Sequence, residues 1–135
     1  MSSLFETFAV AGSAVSAQTK RLNVVASNLA NADAVAGPDG KPFQARQVHF
    51  QSLLVEGSQL PGVHVAAVTE SNAPGRRVHD PQNPMADTEG YVTQSNVSVV
   101  DEMVNMISAS RALENNLNVM ETATRLLSTT LQMGS

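Results

Sequence analysis

ASNLANADA, residues 26–34, closes a long helical pattern with small polar side chains. Asn and Ser side chains compete for backbone hydrogen bonds, so they disfavour helix interiors and favour helix ends and turns. We therefore expect the first helix to end within this stretch. Asn28 and Asn31 are expected to bond backbone groups, or groups of a neighbouring chain, where the chain becomes extended. Simple helix termination within a single chain is the alternative.

Residues 1–34 carry an apolar stripe that predicts one long helix. Its members recur at alternating intervals of four and three residues, which is the heptad spacing of a helix that pairs with another helix. Gln18 is a polar interruption, and Ser3 with Glu6 forms a capping-box pattern at the start. The stripe residues that we predict to line an assembly seam are Leu4, Phe8, Val15, Leu22, Val25 and Leu29.

Residues 98–135 repeat this pattern, and Ser98 with Asp101 can cap the second helix. Because both terminal helices carry heptad stripes, we predict that they pair as a coiled coil. Core helices of a small bundle would show the same spacing. The seam residues predicted in this segment are Met103, Met106, Leu113, Leu117, Met120, Leu127 and Leu131.

The middle segment, residues 35–97, has a different composition. Pro and Gly turn pairs separate short stretches with β-like composition, such as residues 42–50 and 62–68. The segment is predicted to be a small β-rich insert with hairpins. The predicted fold class is therefore α+β, with two long terminal helices and a β insert between them.

Composition excludes several classes of function. A chain of 135 residues suits one ordinary domain, and a net charge of −4 argues against nucleic acid, which requires clustered Lys and Arg. The absence of Cys removes thiolate metal sites and thiol catalysis. No apolar run approaches the roughly 20 residues that span a bilayer. Glu6 stands where a signal peptide needs positive charge, so we expect no cleaved signal peptide and no direct membrane insertion.

The polar residues give no catalytic or metal-binding pattern. The three histidines are His49, His64 and His79. They lack the close spacing of zinc ligands, so we predict exposed or half-buried strand histidines. Asp80, Asp87 and Glu89 lie in a Pro-rich region and are predicted to be solvated turn acids. We therefore expect no catalytic residue, no cofactor and no metal; a small hydrolase that uses His79 and Asp80 is a further alternative.

The first helix is unusually poor in charge. Within residues 1–32 the charged residues are Glu6, Lys20 and Arg21, and most other positions outside the stripe are small or amide side chains. Such a face suits close packing against other chains, because few charges must be desolvated. Weak helix propensity also predicts poor order of the termini outside an assembly. The sequence thus predicts a subunit of a complex or polymer.

Three blocks of the sequence resemble the bacterial flagellar rod and hook axial proteins. They are ASNLANAD at 26–33, VHDPQNPMADTEGYV at 78–92 and NVSVVDEMVNMISASRALENN at 96–116. Ser95 departs from this pattern where the family often has Pro, and Leu113 replaces a frequent Tyr. The residues that match the family motifs are Asn28, Leu29, Asn31, Gly90, Tyr91, Val92, Asn96, Arg111 and Asn116.

The resemblance implies a structural subunit of the flagellar basal-body rod, most similar to the short proximal rod members. It implies terminal helices that line a hollow axial structure and transmit torque through subunit packing. The implied partners are other rod and axial proteins, further copies of the chain and the flagellar type III export apparatus. A cytosolic coiled-coil adaptor, whose β insert binds one partner, is the alternative from a different class.

Overall fold

The computed structural model describes residues 2–56 and 58–134 and has two long helices separated by four strands. The elements in chain order are α1 (Ser2–Ala30), β1 (Arg46–Leu54), β2 (Pro61–Glu70), β3 (Arg77–His79), β4 (Tyr91–Thr93) and α2 (Val99–Met133). The predicted α+β fold class, with a β insert between terminal helices, is confirmed.

Both inner helix ends lie where the sequence predicts them. Helix α1 ends at Ala30, within ASNLANADA, and the chain leaves it through turns in which Asn31 N donates to Ser27 O (3.1 Å). Ser98 caps α2, because its hydroxyl oxygen accepts from Asp101 N at 3.4 Å. At the other end of α1, the helix begins at Ser2, so Ser3 lies within the first turn instead of at the predicted N-cap.

The insert contains two separate two-stranded sheets. Strand β1 pairs with β2, and the connection 55–60 contains a turn in which Ser58 N donates to Val55 O at 2.9 Å. Strands β3 and β4 are antiparallel, with Val78 opposite Val92. The predicted hairpins are therefore present, although β1 begins four residues after Pro42, the first residue of the β-like stretch 42–50.

One compact unit contains the described residues of 1–22, 48–67 and 107–135. In this unit α1 contacts α2, since a Cβ on Gly12 would lie 3.7 Å from Met120 Cε. The hydroxyl of Ser13 accepts from Val63 N (3.0 Å) and donates to Val10 O (2.6 Å), which fixes β2 to α1. Helix and strand approach closely there because Gly62 has no side chain.

The other compact unit contains residues 23–47 and 68–106. Its apolar centre consists of Ala32, Ala45 and Val97, with Phe43 packed against them. These small side chains bury little apolar area, and each buried methylene contributes only about 0.8 kcal/mol. The unit therefore depends on other contacts as well, and the polar contacts described below provide them.

The close approach at Gly62 gives a test of this packing. A Cβ at Gly62 would collide with Val55 and lie 2.6 Å from Ser13 Oγ. We expect Gly62→Ala to lower the free energy of unfolding by about 1–3 kcal/mol. Gly12→Ala is the control, because its Cβ makes an ordinary contact and removes a helical glycine, which stabilises by about 0.5–1 kcal/mol. Urea unfolding of the two variants measures both changes; equal stability would contradict the described packing.

Candidate assembly site

The core of this chain contains small apolar side chains, and many large ones are exposed. Within the part of the chain that the structure describes, every buried apolar residue is Ala or Val. These residues are Ala11, Ala17, Val25, Ala32, Ala36, Ala45, Val92, Val97, Ala109 and Ala123. Exposed large apolar residues scattered singly are ordinary, whereas contiguous ones mark interaction surfaces. Their arrangement therefore decides whether they form a site.

A contiguous exposed stripe lies on the first half of α2. Its members are Val100 (71% exposed), Met103 (54%), Val104 (60%) and Ile107 (57%). Their spacing of three, one and three residues places them on one face of the helix. This α2 stripe is the longest run of exposed apolar residues with helical spacing that we find in the described chain. It is the leading candidate for an assembly surface.

The predicted seam of α2 is only partly covered within the single chain. Met106, Leu113, Met120 and Leu127 are half-buried. Met103, Leu117 and Leu131 are exposed. The covered face of α2 is centred on Ala109 and Ala123, next to the predicted positions on the helix. The heptad pattern includes the larger side chains of this region, whereas the most buried positions of α2 are the small residues Ala109 and Ala123.

The predicted seam of α1 is covered more completely. Val25 is buried, and Phe8 is exposed. The remaining four seam residues, which are all half-buried, are Leu4, Val15, Leu22 and Leu29. Whether any of these side chains lines a seam between subunits stays a prediction, since burial in one chain reports only on intramolecular contacts.

An open groove of about 280 Å³ lies between the first turns of α1 and the C-terminal half of α2. None of its lining residues is charged. They are Leu4, Thr7, Asn118, Val119, Thr122, Ala123 and Leu126. Exposed apolar side chains therefore lie along both halves of α2, and not only on the α2 stripe.

Asn28 joins the end of α1 to the start of β1. It is fully buried (0% exposed), and its amide makes two bonds to one residue. Nδ2 donates to Arg46 O and Arg46 N donates to Oδ1, both at 2.9 Å. The expectation that Asn28 bonds backbone groups is thus confirmed. Of the two partners considered, the structure shows the backbone of the same chain, 18 residues away.

Asn96, which lies just before α2, also bonds backbone groups through its side-chain amide. Its Oδ1 accepts from Ala45 N at 2.6 Å. Its Nδ2 donates to Ser71 O (3.0 Å) and Ala73 O (2.8 Å). Since Ser71 N also donates to Ala45 O (2.8 Å), the amide of Asn96 bridges two segments that bond each other directly. We call Asn28, Asn96 and these backbone partners the asparagine hub.

Ser95 and Arg76 both donate hydrogen bonds to the Ala32 carbonyl, just after the C-terminal end of α1. The buried Ser95 hydroxyl donates to Ala32 O (2.6 Å), and its oxygen accepts from Val97 N (3.2 Å). Arg76 donates to the same Ala32 carbonyl at 3.0 Å and forms an exposed pair with Asp33. A proline at position 95 could supply neither hydroxyl bond. The Ser95 side chain therefore contributes two hydrogen bonds at this position.

The segment between β3 and β4 is a hydrogen-bonded turn region. Gly90 has φ of +83°, a left-handed conformation that favours glycine, and a Cβ there would lie 3.2 Å from both His79 Nε2 and Pro81 Cβ. Tyr91 contacts the ring of His79 edge-on, with centroids 4.9 Å apart, and lies 4.7 Å from the Arg77 guanidinium carbon. Val92 is buried. The Gly-Tyr-Val motif thus closes this turn region.

Asp87 organises the same turn. Its Oδ1 accepts from Tyr91 N and Glu89 N, both at 2.9 Å, and Oδ2 accepts from Arg77 at 3.0 Å. The hydrogen bond from Tyr91 N–H, with smaller contributions from Glu89 N–H and the Arg77 guanidinium, holds the pKa of Asp87 below its ordinary value of 3.8. The prediction of turn acids is confirmed for Asp87.

The remaining motif residues lie on the helices or at their ends. The amides of Asn31 and Asn116 each donate to a carbonyl four residues earlier, at 2.8 and 2.7 Å. Arg111 is exposed on α2, and Leu29 is half-buried at the end of α1. The structure therefore brings Asn28 and Asn96 into one hub and leaves Arg111 and Asn116 elsewhere on α2.

The histidines lie in three different strands. His49 and His79 are exposed and His64 is half-buried, as predicted. Residues 2–56 and 58–134 contain no group of three or more His, Cys, Asp and Glu side chains that could hold a metal ion. Among these residues there is also no helix that is long and apolar enough to cross a membrane.

Three of the contacting residues were missed by sequence reasoning. Local sequence does not show their roles: Gly62 belongs to a predicted Pro-Gly turn pair, and Ser13, Gly62 and Arg76 each contact a segment 44 or more residues away in sequence. The role of Ser95 also depends on a distant partner, since its acceptor Ala32 O lies 63 residues earlier in the sequence. Their roles depend on long-range contacts that periodicity does not encode.

Comparison with known proteins identifies the class of this chain. A family model described as "Flagella basal body rod protein" matches residues 8–38, which include the end of α1. A second, described as "Flagellar basal body rod FlgEFG protein C-terminal", matches residues 88–133, which include α2. The two long helices and these matches define a flagellar basal-body rod protein.

Comparison with individual proteins shows which flagellar basal-body rod proteins this chain is similar to. The chain is 53% identical over 131 residues to the flagellar basal-body rod protein FlgC of Salmonella typhimurium, covering 97% of this chain and 98% of that protein. Identity to FlgC of Escherichia coli O157:H7 is 52% with the same coverage, and to FlgC of Buchnera aphidicola subsp. Acyrthosiphon pisum it is 42%, with 96% of each chain covered. The chain belongs to the flagellar basal-body rod protein FlgC family.

The asparagine hub predicts unequal effects of two amide substitutions. Asn28→Ala leaves both backbone groups of Arg46 without their partner, so we expect the free energy of unfolding to fall by about 1–3 kcal/mol. Asn31→Ala removes one bond, to Ser27 O in the last turn of α1, and is expected to cost less than about 1 kcal/mol. Chemical denaturation compares them. Equal losses of unfolding free energy in the two variants would contradict a larger contribution from the Asn28 bonds.

The Asp87 turn predicts a pH dependence with a definite sign. Because folding lowers the pKa of this carboxyl group, its contribution to stability is present above pH 3.8 and is lost as pH falls through the folded pKa. We expect the carboxyl carbon of Asp87 to titrate below 3.8 in an NMR experiment, and Arg77→Gln to raise its pKa partway. A midpoint at or above 3.8 in the unsubstituted chain would contradict the described turn.

Proposed function

We propose that this chain is a structural subunit of the flagellar proximal rod and joins its neighbours through the exposed apolar faces of its terminal helices. The observation that carries this proposal is the distribution of side chains: the core is built from Ala and Val, and Val100, Met103, Val104 and Ile107 face outward along one helix. Membership of the FlgC family gives the assembly in which such a face would be covered.

The energetics favour assembly through these faces. Full burial of a Val, Ile or Met side chain stabilises by about 1.5–3 kcal/mol, so a stripe of four can contribute several kcal/mol to one contact. Desolvation of charge opposes this only weakly, because neither the α2 stripe nor the groove beside α1 contains a charged residue. A contact between two different faces of successive subunits propagates as an open helix when its rotation does not close into a ring, and an open helix is the symmetry of a rod.

The proposed partners are further copies of this chain and other rod proteins. Delivery through the flagellar type III export apparatus is part of the same proposal. It is supported by membership of the rod family. The proposed role is mechanical, with torque carried by packed helices and no reaction assigned to the chain.

The adaptor alternative differs in the behaviour of the isolated chain. An adaptor should be well ordered and soluble alone, whereas a rod subunit should gain helix on assembly. Circular dichroism of the purified chain, compared with that of its assembled form, distinguishes them. Unchanged helix content together with binding of one partner at fixed stoichiometry would favour the adaptor.

Substitution on the α2 stripe tests the proposed surface directly. We expect Ile107→Asp to abolish swimming and to prevent recovery of the chain in purified basal bodies, because a buried unpaired carboxylate costs several kcal/mol. The isolated variant should remain folded, with stability within about 1 kcal/mol of the parent chain, because Ile107 is 57% exposed.

Ser108→Asp is the matched control. It introduces the same side chain at the next exposed position, about 100° further around the helix. This variant should swim and should be recovered in basal bodies. If Ile107→Asp is incorporated as well as Ser108→Asp, the α2 stripe is not an assembly surface.

A further inference from the structure

The β1–β2 hairpin has few side-chain contacts that define its register at its open end. Residues 46 and 47 of β1 and residues 66–70 of β2 are all exposed. Register is strongly specified only where one face of a sheet is buried, because a shift then moves apolar side chains into water. At this end of the hairpin, a shift by two residues would leave these seven side chains on their original faces and in solvent.

Asn96 bonds to both sides of this open end. Ala45 directly precedes β1 and Ser71 directly follows β2. The Asn96 amide accepts from Ala45 N and donates to Ser71 O and Ala73 O. The planar amide of Asn96 therefore fixes the distance between Ala45, before β1, and Ser71, after β2.

Asn28 bonds to the outer edge of the same hairpin. Consecutive residues of an extended chain direct their backbone groups to opposite sides. Ala45 O accepts from Ser71, so the N–H and C=O of Arg46 point away from β2, and both bond Asn28. The side chain of Asn28 thus takes the place of a third strand at one position.

We propose that Asn28 and Asn96 set the register of β1 against β2. Their five hydrogen bonds hold Ala45 and Arg46 at the start of β1, and Ser71 and Ala73 after the end of β2. Sliding either strand by two residues removes hydrogen-bond partners from one of the two amides, and lost hydrogen bonds are most costly where the polar group is buried, as at Asn28. Both asparagines are therefore positioning residues, and the inference is independent of the assembly role.

Engineered disulfides in the full chain can read the register, because the natural sequence has no Cys. The antiparallel ladder next to the Ala45–Ser71 contact places Arg46 opposite Glu70, a pair without direct backbone bonds and with short Cβ separation. The native probe is Arg46→Cys with Glu70→Cys. The two probes for a shift of two residues combine Arg46→Cys with Val68→Cys or with Asn72→Cys.

In the parent background we expect oxidation of the native probe and no crosslink in the shifted probes. Adding Asn28→Ala and Asn96→Ala should lower the yield of the native crosslink and produce a shifted one. Asn31→Ala is the control and should change neither, because its amide bonds only its own helix. A double variant that retains the native crosslink alone, even with a lower melting temperature, would overturn the proposal and leave the amides merely stabilising.

Hydrogen exchange in the unsubstituted chain keeps the proposal testable if the double variant does not fold. The amides of Ala45 and Arg46 have side-chain acceptors only. We expect both amides to exchange as slowly as the paired amides of β4. Exchange of either amide at the rate of an unstructured peptide would contradict a fixed register at this end.

Discussion

The compact unit formed by residues 23–47 and 68–106 depends above all on the buried amide of Asn28. This side chain satisfies the N–H and C=O of Arg46, 18 residues away, and so fixes the start of β1 beside the end of α1. A core of Ala32, Ala45 and Val97 buries too little apolar area to specify this geometry alone. Hydrogen bonds are directional and costly to leave unmade, so the unit is specified chiefly by polar contacts.

The choice of small core residues has a consequence for function. Where Ala109 and Ala123 occupy the covered face of α2, the larger Val100, Met103, Val104 and Ile107 remain in water. A chain that functions alone would be expected to reverse this distribution. The same distribution suits a subunit whose folded form is completed by its neighbours, as expected in a flagellar rod.

Local signals in the sequence predicted the order and the inner ends of the helices, because caps and helix-breaking asparagines act over a few residues. Ser98 and ASNLANADA are both found where such signals place them. The predicted seam of α2 is only partly covered in the single chain, since heptad spacing identifies a stripe without showing whether large or small residues face inward. Ser95 and Arg76 were missed because their shared acceptor, Ala32 O, lies 63 and 44 residues away.

We infer that the α2 stripe is exposed in the free chain and covered in the rod. Val104→Cys places a single thiol on the stripe of an otherwise Cys-free chain. The decisive measurement is the rate at which a maleimide labels this thiol in the isolated chain and in purified basal bodies. We expect rapid labelling of the isolated chain and strong protection in basal bodies. Equal labelling rates in the two states would contradict this inference.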